Sequence, residues 1–183
     1  MNVRFFSMAA LMACAPAFMS CSDDDEEGNG NPPSTTTAKP TVEYGLTIAD
    51  DVLALADVVV TYWNKSGAQE TDTLKQAEWE YTFEPTASQQ IGFSYATSPK
   101  QNFDELIVDS VLYHLGCGYS YYWRLSAPVN TYKGHSSNGN ELSIPGSKVK
   151  DYFSENSMNR IFSATYNKES NSFTEWEIQS LNN

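Results

Sequence analysis

The feature that most constrains this chain is a two-residue alternation of aromatic and polar side chains. Trp79-Glu80-Tyr81-Thr82-Phe83-Glu84 puts its rings on one side and Glu, Thr and Glu on the other. That pattern suits an antiparallel strand with one face buried and one in water. Pro85 ends the run, and Ile91, Phe93 and Tyr95 repeat the alternation until Ser98-Pro99. Over residues 119–126, Tyr119, Tyr121, Trp123 and Leu125 share one face, while Ser120, Tyr122, Arg124 and Ser126 share the other. Val58-Val59-Val60-Thr61-Tyr62-Trp63 is a β-branched and aromatic strand. Asn64-Lys65-Ser66-Gly67 stops it with a hairpin-type turn, and residues 71–74 return as its partner.

Further extended runs are expected at residues 42–48, 106–115, 161–166 and 173–178. The helical period of 3.6 is convincing once, where Val149, Tyr152, Phe153 and Asn156 lie on one face behind Pro145-Gly146-Ser147, with Ser147 as N-cap. A weaker helical turn is expected over residues 51–57. Short strands at roughly 8–12-residue spacing predict a mainly β fold, an antiparallel Ig-like β-sandwich with one short helix near the C-terminal hairpin.

The first 40 residues read differently. Arg4 is the one charge among residues 1–20, and an apolar stretch, Phe5-Phe6-Ser7-Met8-Ala9-Ala10-Leu11-Met12-Ala13-Cys14-Ala15-Pro16-Ala17-Phe18-Met19, follows it. This is a positive n-region and an h-region too short and too interrupted for a stable membrane span. Ser20-Cys21 closes it, and the charge turns at once to Asp23-Asp24-Asp25-Glu26-Glu27. Residues 28–40 are Gly, Asn, Pro, Ser and Thr with a single charge, a composition of flexible linkers.

On these residues the chain resembles bacterial lipoproteins, whose signal peptidase cuts directly before a Cys already carrying diacylglycerol. Phe18-Met19-Ser20-Cys21 supplies the cut box; Ser20 fits the family's small residue, and Phe18 departs from its usual Leu. Leu11-Met12-Ala13-Cys14 matches the box better, but leaves a signal peptide below the usual ~15–30 residues. We favour Cys21 as the lipidated residue, with Cys14 the alternative. The acidic run Asp23, Asp24, Asp25, Glu26 and Glu27 is similar to the surface-export signal of Bacteroidota lipoproteins. The resemblance implies a signal peptide over residues 1–20, a lipidated acidic tether over 21–40 and a folded domain over 41–183. It also implies an outer-membrane location facing the extracellular side. Stable attachment takes about two acyl chains, which such an anchor carries. The order of a VVVTYW strand, a Lys-Ser-Gly turn, a Trp-containing strand and a late helix also resembles small Ig-like lipoprotein domains of Bacteroidota.

Chemistry is excluded more readily than it is found. The net charge of −12, with −9 left after residue 40, argues against nucleic acid as a partner. If Cys21 is lipidated and Cys14 removed, Cys117 is the one thiol left, so no intrachain disulfide forms. Between Gly116 and Gly118 it reads as a small buried residue rather than a nucleophile. His114 and Cys117 sit at an offset that places them on opposite strand faces, and His135 falls in a polar loop, so no metal and no cofactor is expected. Gly116-x-Gly118 lacks the third Gly of a dinucleotide fingerprint, and no Gly-x-Ser-x-Gly elbow exists. Glu78, Glu80 and Glu84, like Glu175 and Glu177, have the even offsets of an ordinary solvated face. No catalytic residue is expected.

The positive hint is aromatic. The chain holds 11 Tyr and 4 Trp, all after residue 40, and most are claimed by alternation as core. Tyr122 falls opposite Tyr121 and Trp123, beside Arg124, and Trp63 stands at a strand end next to a turn. Both are candidate glycan-stacking residues. Asp72-Thr73-Leu74 and Asp109-Ser110-Val111 are similar to the O-glycosylation acceptor of exported Bacteroidota proteins, with Thr73 and Ser110 as acceptors. Asn64-Lys65-Ser66 matches the N-glycan sequon, a modification uncommon in bacteria. The sequence therefore predicts a non-catalytic, lipid-anchored surface module that binds a glycan or a protein. The alternatives are an accessory subunit of an envelope assembly and a hydrolase with an unrecognised carboxylate site.

Overall fold

A computed structural model of the chain describes residues 37–139, 142–155 and 160–180. In chain order the elements are β1 (Pro40–Ile48), α1 (Asp50–Leu55), β2 (Ala56–Trp63), β3 (Gln69–Thr73), β4 (Glu78–Phe83) and β5 (Gln89–Pro99). Then come α2 (Phe103–Leu106), β6 (Leu112–Leu115), β7 (Cys117–Leu125), β8 (Thr131–Ser137) and β9 (Leu142–Pro145). The last are α3 (Gly146–Glu155), β10 (Arg160–Asn167), β11 (Ser172–Phe173) and β12 (Glu177–Ser180).

The strands form an antiparallel β-sandwich, as the alternation predicts. The first sheet has the order β4-β1-β7-β8. The second has β11-β10-β5-β2-β3, with β12 also pairing β10. A separate pair, β6 and β9, closes one end together with α1, where Asp51 accepts from the His114 backbone N–H at 2.6 Å. The chain enters at the opposite end: Ala38 is already buried, and the Lys39 N–H donates to Ser126 Oγ at 2.9 Å.

Rings from both sheets meet in the middle. Tyr44 on β1 lies 5.4 Å from Phe93 on β5, and Tyr121 on β7 lies 5.0 Å from Phe162 on β10. Tyr44 also joins the sheets by polar contact. Its hydroxyl accepts from the Gly92 N–H at 2.6 Å and donates to the Trp63 carbonyl at 3.4 Å. Burial raises this phenol's pKa well above its ordinary value, so it serves as a neutral hydrogen-bonding group.

Several expectations need correction. Residues 106–115 are not one strand, because α2 ends at Leu106 and β6 begins only at Leu112. The C-terminal run is split into β11 and β12 by residues 174–176, where the Thr174 side chain accepts from the Thr165 N–H and Trp176 packs against the core. α3 begins at Gly146, so Ser147 sits inside its first turn rather than at the N-cap. Gly146 is required there because a Cβ would collide with the Val108 carbonyl, and its N–H donates to the Val111 oxygen. Asn156, placed on the same helical face by the sequence, lies outside the described residues. The largest difference is β8. Residues 131–137 carry no apolar alternation, yet they pair with β7 along its length from Tyr119 to Leu125. As an edge strand exposed on both faces, β8 needs no hydrophobic stripe, and periodicity has nothing to detect.

Candidate functional site

The outward face of the first sheet is set by register. Tyr122 on β7 lies between Glu43 on β1 and Gly134 on β8. Arg124, one outward position further on, lies between Thr41 and Tyr132. A Cβ at Gly134 would collide with the Tyr122 ring, so the ring lies directly over that stretch of β8 backbone. It stacks on Tyr132, with ring centroids 5.5 Å apart and planes 21° from parallel. Tyr132 is 61% exposed, the most open aromatic among the described residues.

Polar groups frame this platform. Arg124 Nη2 lies 3.7 Å from Glu43 Oε1, a partly exposed pair. The Tyr132 phenol is raised above its ordinary pKa by partial burial first, then by neighbouring Tyr122 and Glu43, with Arg124 opposing. In the next outward row, Gly45, Ser120 and Ser136 are small beside Glu80, and a Cβ at Gly45 would strike Ser120 Oγ. Beside the platform an open groove of about 530 Å³ is lined by Lys39, Thr41, Glu84, Arg124, Asn130 and Tyr132, among others. Asn130 holds a φ of 50°, which Asn tolerates, in the connection that brings β8 back beside β7.

A second opening lies at the β8 edge, between the two sheets. This crevice of about 430 Å³ is lined by Tyr121, Tyr132, Lys133, His135, Glu175 and Trp176, with Gly134 on its rim. Lys133 and Glu175 form an ion pair across it. The indole N–H groups of Trp176 and Trp123 are buried without a hydrogen-bond partner among the described residues. Tyr132 lines both openings.

Of the two aromatic residues that the sequence singles out, the structure places Tyr122 in this face and Trp63 elsewhere. Ala56, Val58, Val60 and Tyr62 point inward on β2, so half-buried Trp63 has the outward parity of the second sheet. The two therefore stand on opposite outer faces and cannot stack against one ligand ring. Tyr132 was missed, because its segment carried no strand signal. His135 lies on β8 rather than in a loop, and its ring centroid is 5.9 Å from that of Tyr121.

Other candidates fall as follows. Thr73 is exposed at the end of β3, and Ser110 is exposed in the turn before β6 rather than at a strand start. Cys117 is half-buried, and burial pushes its thiol up to about 11. That keeps it a thiol at neutral pH, the opposite of an activated nucleophile. His114 Nδ1 lies 3.2 Å from Ser143 Oγ. Among the described residues no cluster of His, Cys, Asp and Glu is arranged to hold a metal, and no helix is long and apolar enough to cross a membrane. Cys14, Cys21 and the acidic residues Asp23, Asp24, Asp25, Glu26 and Glu27 lie outside the described residues.

Comparison with protein families, with curated proteins and with solved structures found no match to this chain.

Proposed function

We propose that this chain is a lipid-anchored, non-catalytic cell-surface module whose sandwich binds a glycan on the outward face of the first sheet. The observation that carries the binding reading is the stacked Tyr122–Tyr132 pair, with the Tyr122 ring lying over Gly134. A pyranose ring has an apolar C–H face that packs on an aromatic plane, and a rim of hydroxyls that donate and accept. Glu43, Glu84 and Arg124 supply both partners beside the rings. The anchor reading rests on Ser20-Cys21 and the acids behind it.

Two experiments test the two halves. The full-length lipoprotein in detergent is screened on a glycan array, and a glycan that binds should be weakened by Tyr132→Ala about tenfold, near 1.4 kcal/mol. No bound glycan, or equal binding by the variant, would overturn the binding reading. Replacing Cys21 by Ala should release the protein from membranes. Retention of that variant together with release of Cys14→Ala would move the anchor to Cys14, and retention of both would end the lipoprotein reading.

A second reading, an accessory subunit of an envelope assembly, has its own support. Val108, Val111 and Leu112 are 52%, 43% and 54% exposed, at the end opposite chain entry. Neighbouring apolar side chains of this kind are a feature of docking surfaces. Val111→Asp combined with Leu112→Asp should abolish capture of an envelope partner in a crosslinking pull-down if this reading holds.

A further inference from the structure

We propose that the crevice at the β8 edge is a second subsite of the same glycan site, and that the glycan it takes is uncharged. The inference rests on the glycan reading above and adds a location and a ligand class to it.

Contiguity comes first. Tyr132 lines both the groove on the outward face and the crevice between the sheets. Among the described residues β8 pairs only with β7, and no further strand walls one opening off from the other. A glycan chain stacked on Tyr122 and Tyr132 can pass over this edge and set a further ring into the crevice. The crevice volume, about 430 Å³, falls within the roughly 300–1,000 Å³ of small-molecule sites.

The lining has the chemistry of a sugar subsite. Tyr121 and Trp176 pack on each other as one aromatic wall, with ring centroids 4.8 Å apart, and Tyr132 is the third ring. Lys133 and Glu175 place a donor and an acceptor side by side. Their side chains are 48% and 75% exposed, and so open an ion pair contributes little to holding the edge closed. A hydroxyl can enter between them, donating to the carboxylate while accepting from the ammonium.

Charge fixes the class. Arg124 faces Glu43, Lys133 faces Glu175, and the groove that holds Lys39 also holds Glu84. Two of these cations are thus paired with carboxylates, and the whole chain carries −12. A uronate or sulfate entering this site would give up water against carboxylates that already hold Arg124 and Lys133. Neutral hydroxyls have no such cost and use both members of each pair.

The test is a titration of full-length lipoprotein in detergent, followed by tryptophan fluorescence. The probes are neutral hexasaccharides (of xylose, mannose, glucose in α and in β linkage) and acidic ones (of galacturonate and of heparin). A neutral hexasaccharide should bind, with affinity changing less than about twofold between roughly 50 and 300 mM NaCl. Glu175→Gln and Trp176→Phe should each weaken it by about fivefold, while the matching disaccharide, long enough only for the platform, should be insensitive to both. The two variants act independently, so a folding defect in Trp176→Phe leaves Glu175→Gln to decide. If Tyr122→Ala weakens binding and neither crevice variant does, the second subsite is overturned and the glycan reading stands. Preference for an acidic hexasaccharide, lost with salt, overturns the uncharged class. Binding of none of the probes overturns both.

Discussion

The two outward faces of the sandwich carry the same kind of raw material and use it differently. On the second sheet, Trp63 stands at the end of β2 across from Gln69, in a face of small polar residues where Thr61 and Thr71 approach each other at 3.3 Å. On the first sheet, Tyr122 is also only partly exposed, but Gly134 leaves room for its ring and Tyr132 stacks on it. A lone half-buried ring at a strand end is ordinary sandwich surface. Two stacked rings, one of them laid over a glycine, form a platform. The difference lies in a neighbour's missing side chain rather than in the aromatic itself.

Each sheet also has a glycine whose missing side chain shapes it, Gly92 and Gly134, and their substitution should separate the two most sharply. Gly92 on β5 sits at φ 138°, a Cβ there would run into the Phe162 carbonyl of β10, and its N–H is held by Tyr44. Neither strand is free to move, so Gly92→Ala should cost about 3 kcal/mol of stability in urea denaturation. A loss under about 1 kcal/mol would show that the second sheet's glycine is no more structural than the first's. The next effect is Tyr132→Ala. It should leave stability within about 0.5 kcal/mol, while lowering affinity for a bound glycan about tenfold in calorimetry.

How legible all this was depended on burial. Residues 79–83 and 119–125 could be placed because one face is buried, and burial writes a period of two into the sequence. Tyr122 was found by its parity on β7. Tyr132 could not be found that way, since Thr131-Tyr132-Lys133-Gly134-His135-Ser136-Ser137 contacts too little core to be patterned. Its strand exists because β7, the strand just before it, offers a hydrogen-bonding edge, and that pairing leaves no pattern in the segment's own side chains. The interruption at residues 174–176 was hidden for a similar reason: Trp176 keeps its place against Tyr44 and Tyr121 by leaving the β10 ladder. A binding site at a sheet edge is thus the part of a sandwich that alternation reads least well.

The smaller effects test whether the platform is the cause. Gly134→Ala puts a methyl group where the Tyr122 ring lies and against the Tyr121 carbonyl oxygen, on an edge strand that can yield. It should cost about 1 kcal/mol of stability or less, and tilt Tyr122 away from Tyr132, lowering glycan affinity about fivefold with both tyrosines still present. Unchanged affinity would mean that the rings act singly and that the glycine is incidental. Trp63→Ala should do least of all, changing affinity less than about twofold, because Trp63 faces away from every group lining the groove and the crevice. Its carbonyl still accepts from Tyr44, and the backbone keeps that bond after the ring is gone. If Trp63→Ala instead weakens binding as much as Tyr132→Ala, the ligand lies on the second sheet. Exposure of a single ring would then have been the better guide than stacking over glycine.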